Sequence, residues 1–294
     1  MKFKTMTQIK RFNKEDYDYI KTGFGSLDKK TGGLIKGEVT IVSGTNGSGK
    51  SNILNQLCIE FAHQGLRTML FSGEMPDYSV QNMFYNQMAG KYNLTKHKEF
   101  DLYYLNNEKL KNEIDLYLDS KVALYDNDNG AKVQDILDGI RRVVVGSKVD
   151  VIILDNLMTM DLNKYQGDKY DRQKEFILEL TTLAKQLKVH ILVVMHPRKV
   201  TGMLRKEDIS GSADLSNAVD NVIIIHRVNN DFKARFKEMF KGTHNDLLEA
   251  DTLLEVCKSR TSGIQDYFVS LYFTLESKTF NEEQKEKPYL ILVK

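Results

Sequence analysis

Eight consecutive residues, Gly44-Thr45-Asn46-Gly47-Ser48-Gly49-Lys50-Ser51, carry the densest chemistry in the chain. They satisfy G-x-x-x-x-G-K-[ST] at every fixed position. The glycines let the backbone curl until several N–H groups face one phosphate chain, and a following helix adds the partial positive charge of its first turn. Lys50 would neutralise β- and γ-phosphates, and the Ser51 hydroxyl would sit on Mg²⁺. The flanks suit such a loop: Glu38–Val42 reads as an apolar strand before it, and Ser51–Gln64 as an amphipathic helix after it.

Other residues could complete a phosphoryl-transfer site. Asp155 ends the apolar run Val151-Ile152-Ile153-Leu154, where a strand-end carboxylate would join the Mg²⁺ shell in the manner of a Walker-B aspartate. Glu74, in Leu70-Phe71-Ser72-Gly73-Glu74-Met75-Pro76, either deprotonates the attacking water or is an acid favoured near a helix start. His196 follows Ile191–Met195 and either contacts the γ-phosphate or closes a strand. Lys258 and Arg260 are spaced by one, so they share a face of an extended segment. They are either a cation pair for a transferring phosphoryl group, with Arg260 as the finger, or a solvated basic edge. Segment 197–220 places Arg198, Lys199, Arg205 and Lys206 before Ser210-Gly211-Ser212. That suits a mobile loop gripping a nucleic-acid backbone, or a solvated surface loop, and the scarcity of aromatics argues against base stacking.

The surrounding elements must hold these residues together. Predicted strands at Thr68–Ser72, Lys121–Tyr125, Val149–Leu154 and Val189–Met195 alternate with predicted helices at Asp77–Ala89, Ala131–Val145 and Tyr170–Leu187. That alternation implies an α/β fold with a mostly parallel central sheet flanked by helices. The last third reads as strand-rich and poor in helix. Asn221–His226, Thr252–Cys257 and Tyr267–Phe273 are expected to extend the sheet, with a late hairpin near Leu275–Phe280 and Tyr289–Val293. Residues 91–120 read as partly helical, with Tyr103, Tyr104 and Tyr117 as packing residues.

Composition sets the outer bounds. The 294 residues are 41% hydrophobic and 28% charged, the balance of a folded soluble domain. No apolar run reaches the roughly 18 residues that span a bilayer, so no membrane association is expected. The N-terminus has charge but no apolar core of a signal peptide. Cys58 and Cys257 are the only cysteines, in apolar surroundings, which points to a reducing compartment and no disulfide framework. The net charge of +2, from 42 basic and 40 acidic side chains, lacks the excess of a chain that coats nucleic acid, although a local basic loop would not show in the sum. Three prolines and no repeat or linker favour one domain, residues 21–294, behind an N-terminal arm, residues 1–20.

In this order, the motifs resemble the ATPase domain of RecA-like ring helicases: the DnaB-type replicative helicases, the helicase half of phage primase–helicases, and mitochondrial Twinkle. The lead-in Gly23–Gly37 resembles that family's approach to its phosphate loop. Phe71–Pro76 is similar to its catalytic-glutamate motif, which usually has a larger residue where Gly73 stands. Leu154-Asp155-Asn156-Leu157 fits its Walker B, and His196 matches the phage and Twinkle branch. Asp208–Val222 resembles its DNA-loop motif around Gly211-Ser212, but Ile209-Ser210 stand where an arginine is usual. Lys258-Ser259-Arg260 matches its K-x-R, in which the arginine reaches the neighbouring subunit's nucleotide.

The resemblance spans roughly residues 22–280 and implies a RecA-like P-loop NTPase working as a ring, expected to be a hexamer. Nucleotide, ATP or another NTP with Mg²⁺, would lie between subunits. Lys50, Ser51, Glu74 and Asp155 would act from one side, and Arg260 with Lys258 from the next. His196 would sense the γ-phosphate. Lys199, Arg205 and Lys206, with Gly211 and Ser212, would hold single-stranded DNA, stepping 5′→3′ to unwind duplex. A primase or polymerase is an expected partner. The compartment would be the cytoplasm of a bacterial or phage-infected cell, or a mitochondrial matrix. Rival readings are a RadA- or RecA-like recombination ATPase, a KaiC-like regulatory ATPase acting on protein partners, and a nucleotide-switched loader. The fold alone does not separate them.

Overall fold

The computed structural model describes residues 3–9, 13, 15, 17–126, 130–198, 203–209, 213–287 and 289. The apolar runs form strands where the sequence places them, with bounds that agree to within two residues. In chain order they are β1 (Tyr19–Ile20), β2 (Leu34–Ile35), β3 (Val39–Gly44), β4 (Thr68–Ser72), β5 (Thr95–Lys96), β6 (Tyr103–Tyr104), β7 (Val122–Leu124), β8 (Val151–Asp155), β9 (His190–Val194), β10 (Asn221–Arg227), β11 (Thr252–Ser259), β12 (Tyr267–Thr274) and β13 (Thr279–Asn281). The helices are α1 (Gly25–Thr31), α2 (Lys50–His63), α3 (Asp77–Ala89), α4 (Glu108–Asp119), α5 (Val133–Ser147), α6 (Lys169–Leu187), α7 (Ala213–Ala218) and α8 (Asn230–Met239).

Nine strands make the main sheet, in the order β13-β12-β11-β10-β3-β9-β8-β4-β7. The six from β10 to β7 are mutually parallel, and β11, β12 and β13 are added antiparallel at one edge. This is a RecA-like arrangement. Period-2 alternation divides the strand side chains between two cores. Val151, Ile153, Leu192 and Val194 face one core with α2, α3 and α4. Ile152, Leu154, Ile191 and Val193 face the other, with α5 and α6. Both faces are covered, which explains why these strands read as continuous apolar runs.

Three features depart from the sequence reading. The last third contains helices after all, α7 and α8. Along α8 and at its C-terminal cap the aromatics Phe232, Phe236 and Phe240 recur every four residues, and Phe236 and Phe240 meet Phe268 of β12 edge-on at 5.5 and 5.6 Å. The late hairpin is tighter than expected. β12 turns through residues 275–278 directly into β13, and of the expected second arm only Tyr289 is described, outside any strand. Residues 91–120 are partly helical, as expected, with α4 following the small β5–β6 hairpin. Tyr19 and Ile20, inside the expected arm, pair with Ile35 and Leu34. Cys58 and Cys257 are free and buried.

Candidate nucleotide site

The phosphate loop leaves the carboxyl end of β3 and enters α2 at Gly49, whose φ of 91° suits glycine. The loop is hemmed in. A Cβ on Gly44 would stand 2.5 Å from the Ile225 carbonyl oxygen, and one on Gly49 would stand 2.5 Å from the Phe280 ring. Phe280 is brought there by Gln56 of α2, whose amide bonds the backbone N–H and C=O of Phe280, each at 2.8 Å. The C-terminal hairpin thereby braces the first turn of the helix that carries Lys50 and Ser51.

β3, β8, β4 and β9 run parallel, so their carboxyl ends deliver distant residues to one cleft. Lys50, Ser51, Glu74, Asp155 and His196 line it with Thr45, Asn46, Gly47 and Gly49, around about 930 Å³ of space. The Lys50 ammonium donates to the Gly44 and Thr45 carbonyl oxygens, both at 2.9 Å. Burial pushes its pKa down, and the charges of Asp155 and Glu74 oppose that. Burial pushes the Asp155 carboxyl up. A hydrogen bond from Ser51 pulls it back, Glu74 adds repulsion, and Lys50 and His196 offset part of that. Glu74 and His196 stand 3.4 Å apart, carboxylate to Nε2.

Among the described residues no group of three or more His, Cys, Asp or Glu is arranged to hold a metal. A hydroxyl and a carboxylate in contact, Ser51 with Asp155, nonetheless fit Mg²⁺. That ion prefers hard oxygens and takes its remaining ligands from water and phosphate.

Lys258 and Arg260 lie elsewhere. Ser259 pairs with Asn221 at the start of β10, whereas Gly44 pairs with Ile225, four residues on. At ~3.3 Å per residue the pair is therefore roughly 13 Å along the sheet from the phosphate loop, towards its opposite end. Lys258 donates to the Ser216 and Val219 carbonyls, both at 2.8 Å. Arg260 donates to the Asp220 carboxylate and the Asn217 carbonyl, both at 3.0 Å.

The basic segment begins beside His196. Pro197 bridges to Ile209, and the Arg198 N–H donates to the Asp208 carbonyl at 2.8 Å, which closes the neck of the loop. Arg205 turns inward. Its guanidinium meets the buried Glu255 carboxylate at 3.1 Å, and the other Glu255 oxygen is 2.6 Å from His226 Nε2. Lys206 is half-buried at the rim, 3.9 Å from Glu207. Lys199, Gly211 and Ser212 lie outside the described residues.

Three contributors to the cleft have no such role in the sequence reading. Arg198 and Met158 line it, and the side-chain amide of Asn156 touches both Glu74 and His196. The available signal for Asn156 was its place immediately after Asp155. Thr159 also matters, because a Cβ on Gly73 would fall on its hydroxyl. That contact accounts for the small residue before Glu74.

Comparison with known proteins agrees with this geometry. The family model of the DnaB-like helicase C terminal domain matches residues 19–282. The replicative DNA helicase DnaB of Haemophilus influenzae is 24% identical over 215 residues, 71% of this chain and 46% of that protein. The DNA repair protein RadA of Aquifex aeolicus is 25% identical over 216 residues, 72% of this chain and 39% of that protein. The chain thus spans less than half the length of these curated relatives. Among solved structures, an ATPase domain superposes with a TM-score of 0.69 at 16% identity, over 90% of this chain and 91% of that one. A DnaB-like replicative helicase studied with primase superposes with a TM-score of 0.70 at 17% identity, over 90% of this chain and 62% of that one. At these identities the superpositions speak for the fold alone. No helix among the described residues is long and apolar enough to cross a membrane.

Proposed function

The chain belongs to the DnaB-like helicase C-terminal domain family, and we propose that it is the motor domain of a replicative DNA helicase. It hydrolyses ATP or another NTP, moves along single-stranded DNA and unwinds duplex, 5′→3′, as a hexameric ring. One observation carries the reading. Lys50, Ser51, Glu74, Asp155 and His196 converge on one cleft, while Arg260 sits towards the opposite end of the sheet, out of reach of its own phosphate loop.

In this reading the loop amides and Lys50 bind the phosphate chain, and Lys50 leaves the carbonyls it now meets to do so. Ser51 and Asp155 hold Mg²⁺, which when bound neutralises charge on the phosphate oxygens. Glu74 takes the proton of the attacking water. Arg260, with Lys258 beside it, serves the neighbouring subunit's cleft, where an arginine finger is worth about 10³–10⁵ in rate. His196, at the neck of the 197–209 loop, links the phosphate to the DNA-gripping segment that holds Lys199, Lys206, Gly211 and Ser212. The same reading places the protein in the cytoplasm, with a primase or polymerase as partner.

The test is NTP hydrolysis with and without single-stranded DNA, beside Lys50→Ala. DNA-stimulated turnover that the variant abolishes is the expected result. Turnover indifferent to DNA would move the chain to a regulatory ATPase. The match to RadA favours a recombination ATPase as the second reading. Strand exchange without unwinding would select it.

A further inference from the structure

We propose that Asn156 is a positioning residue of the hydrolytic site, its side-chain amide orienting the Glu74 carboxylate and setting the tautomer of His196. The inference rests on the roles of Glu74 and His196 given above. Asn156 is fully buried at the end of β8. Its Oδ1 accepts the Met158 backbone N–H at 2.9 Å, which fixes which end of the amide is oxygen. Its backbone carbonyl accepts the Thr159 hydroxyl at 2.9 Å, so the residue is held at both ends. Both Nδ2 hydrogens therefore point the other way. One reaches the Glu74 carboxylate at 2.5 Å, and the other faces His196 Nε2 at 2.8 Å.

An amide NH₂ group only donates. His196 Nε2 must therefore accept, and the ring carries its proton on Nδ1. Glu74 stands on the loop between β4 and α3, about half exposed, where an unanchored carboxylate would sample several rotamers. The Gly73 N–H tethers that loop to the Asp155 carbonyl at 2.6 Å, and Asn156 fixes the carboxylate itself. The acid and the histidine are thus not independent. A histidine that turns towards a phosphate releases one N–H of the amide that holds the acid.

Two variants test this. Asn156→Ala removes the amide. Asn156→Asp keeps the shape and the acceptor for Met158 but turns the donor into a carboxylate oxygen. A hydrogen bond to a charged group is worth roughly a tenfold or greater change in rate, so kcat for hydrolysis should fall by at least about tenfold while KM moves by less than about threefold. Long-range ¹H–¹⁵N spectra of His196, assigned with His196→Gln, should show Nδ1 protonated in the parent protein. They should show mixed tautomers in Asn156→Ala, and Nε2 protonated in Asn156→Asp. Either variant folding like the parent with kcat unchanged, or with the His196 pattern unchanged, overturns the assignment. If Asn156→Ala fails to fold, the near-isosteric Asn156→Asp decides. A parent protein that assembles into a ring and still hydrolyses no NTP would sink the motor reading, and the ring nitrogens would still judge Asn156.

Discussion

Arg260 and Asp220 grip one another at the start of β10: Arg260 Nη1 donates to the Asp220 carboxylate at 3.0 Å, and the Arg260 N–H donates to the Asp220 carbonyl at 2.9 Å. The second Asp220 oxygen accepts the Val39 N–H at 3.1 Å, at the head of the strand that ends in the phosphate loop. The guanidinium is half-exposed, so it is positioned by its own chain and free to face another. Arg260→Ala should keep nucleotide affinity and lose at least about a thousandfold in hydrolysis. Mixing Arg260→Ala with Lys50→Ala should restore part of the activity, because some interfaces then hold both intact residues. No recovery in a mixture that does assemble would show that the arginine does not act between subunits.

Gly73 and Thr159 compete for one space. Gly73→Ala should destabilise the domain by about 1–3 kcal/mol through overpacking at the Thr159 hydroxyl. Gly73→Ala/Thr159→Gly should be less destabilised in urea unfolding than the sum of the two single variants, since the clashing Oγ1 and Cβ are removed, although the Thr159–Asn156 hydrogen bond is lost and the Phe71 ring still stands 3.0 Å away. Simple additivity of the two single losses would point to the backbone as the cause.

His190 makes stability depend on pH. Its Nδ1 bonds the Ile35 carbonyl at 2.7 Å and its Nε2 meets the Thr40 hydroxyl at 3.0 Å, wholly inside the protein. Burial pushes its pKa down to about 4, against smaller opposing effects of the Ile35 bond and Asp220. Between about 6.5 and about 4 the unfolded chain binds a proton that the folded one does not. Stability therefore falls as pH drops through that window, by about 3 kcal/mol in all, and is fully present above it. Urea unfolding at pH 7, 5.5 and 4.5 should show the slope, and His190→Gln should flatten it.

Arg205 and Lys206 are adjacent but do different work. Arg205→Ala leaves the buried Glu255 with His226 alone and should cost about 1–3 kcal/mol of stability. Lys206→Ala should leave unfolding unchanged and lower the salt slope of single-stranded DNA binding by about one. A stability loss from Lys206→Ala, or an Arg205→Ala variant of parental stability with weaker DNA binding, would reverse the two roles.

Local pattern alone was sufficient for much of this protein. The spacing of Gly44, Gly49, Lys50 and Ser51 identifies a phosphate loop because backbone curvature and helix start are properties of neighbouring residues. The continuous apolar runs identify β3, β8 and β9 because burial on both faces demands apolar side chains at nearly every position. Helix α8 escapes a local reading although Phe232, Phe236 and Phe240 announce it at a spacing of four, because a short helix among strands carries little weight against its context. Only the tertiary structure decided which polar groups meet. Asn156 lies 82 residues from Glu74 and 40 from His196, and Arg205 lies 50 from Glu255. Such pairings follow from strand order and register, which no single segment encodes. The same register sets Arg260 towards the far end of the sheet from its own phosphate loop, so a motif that reads as catalytic in sequence stands apart from the cleft of its own chain.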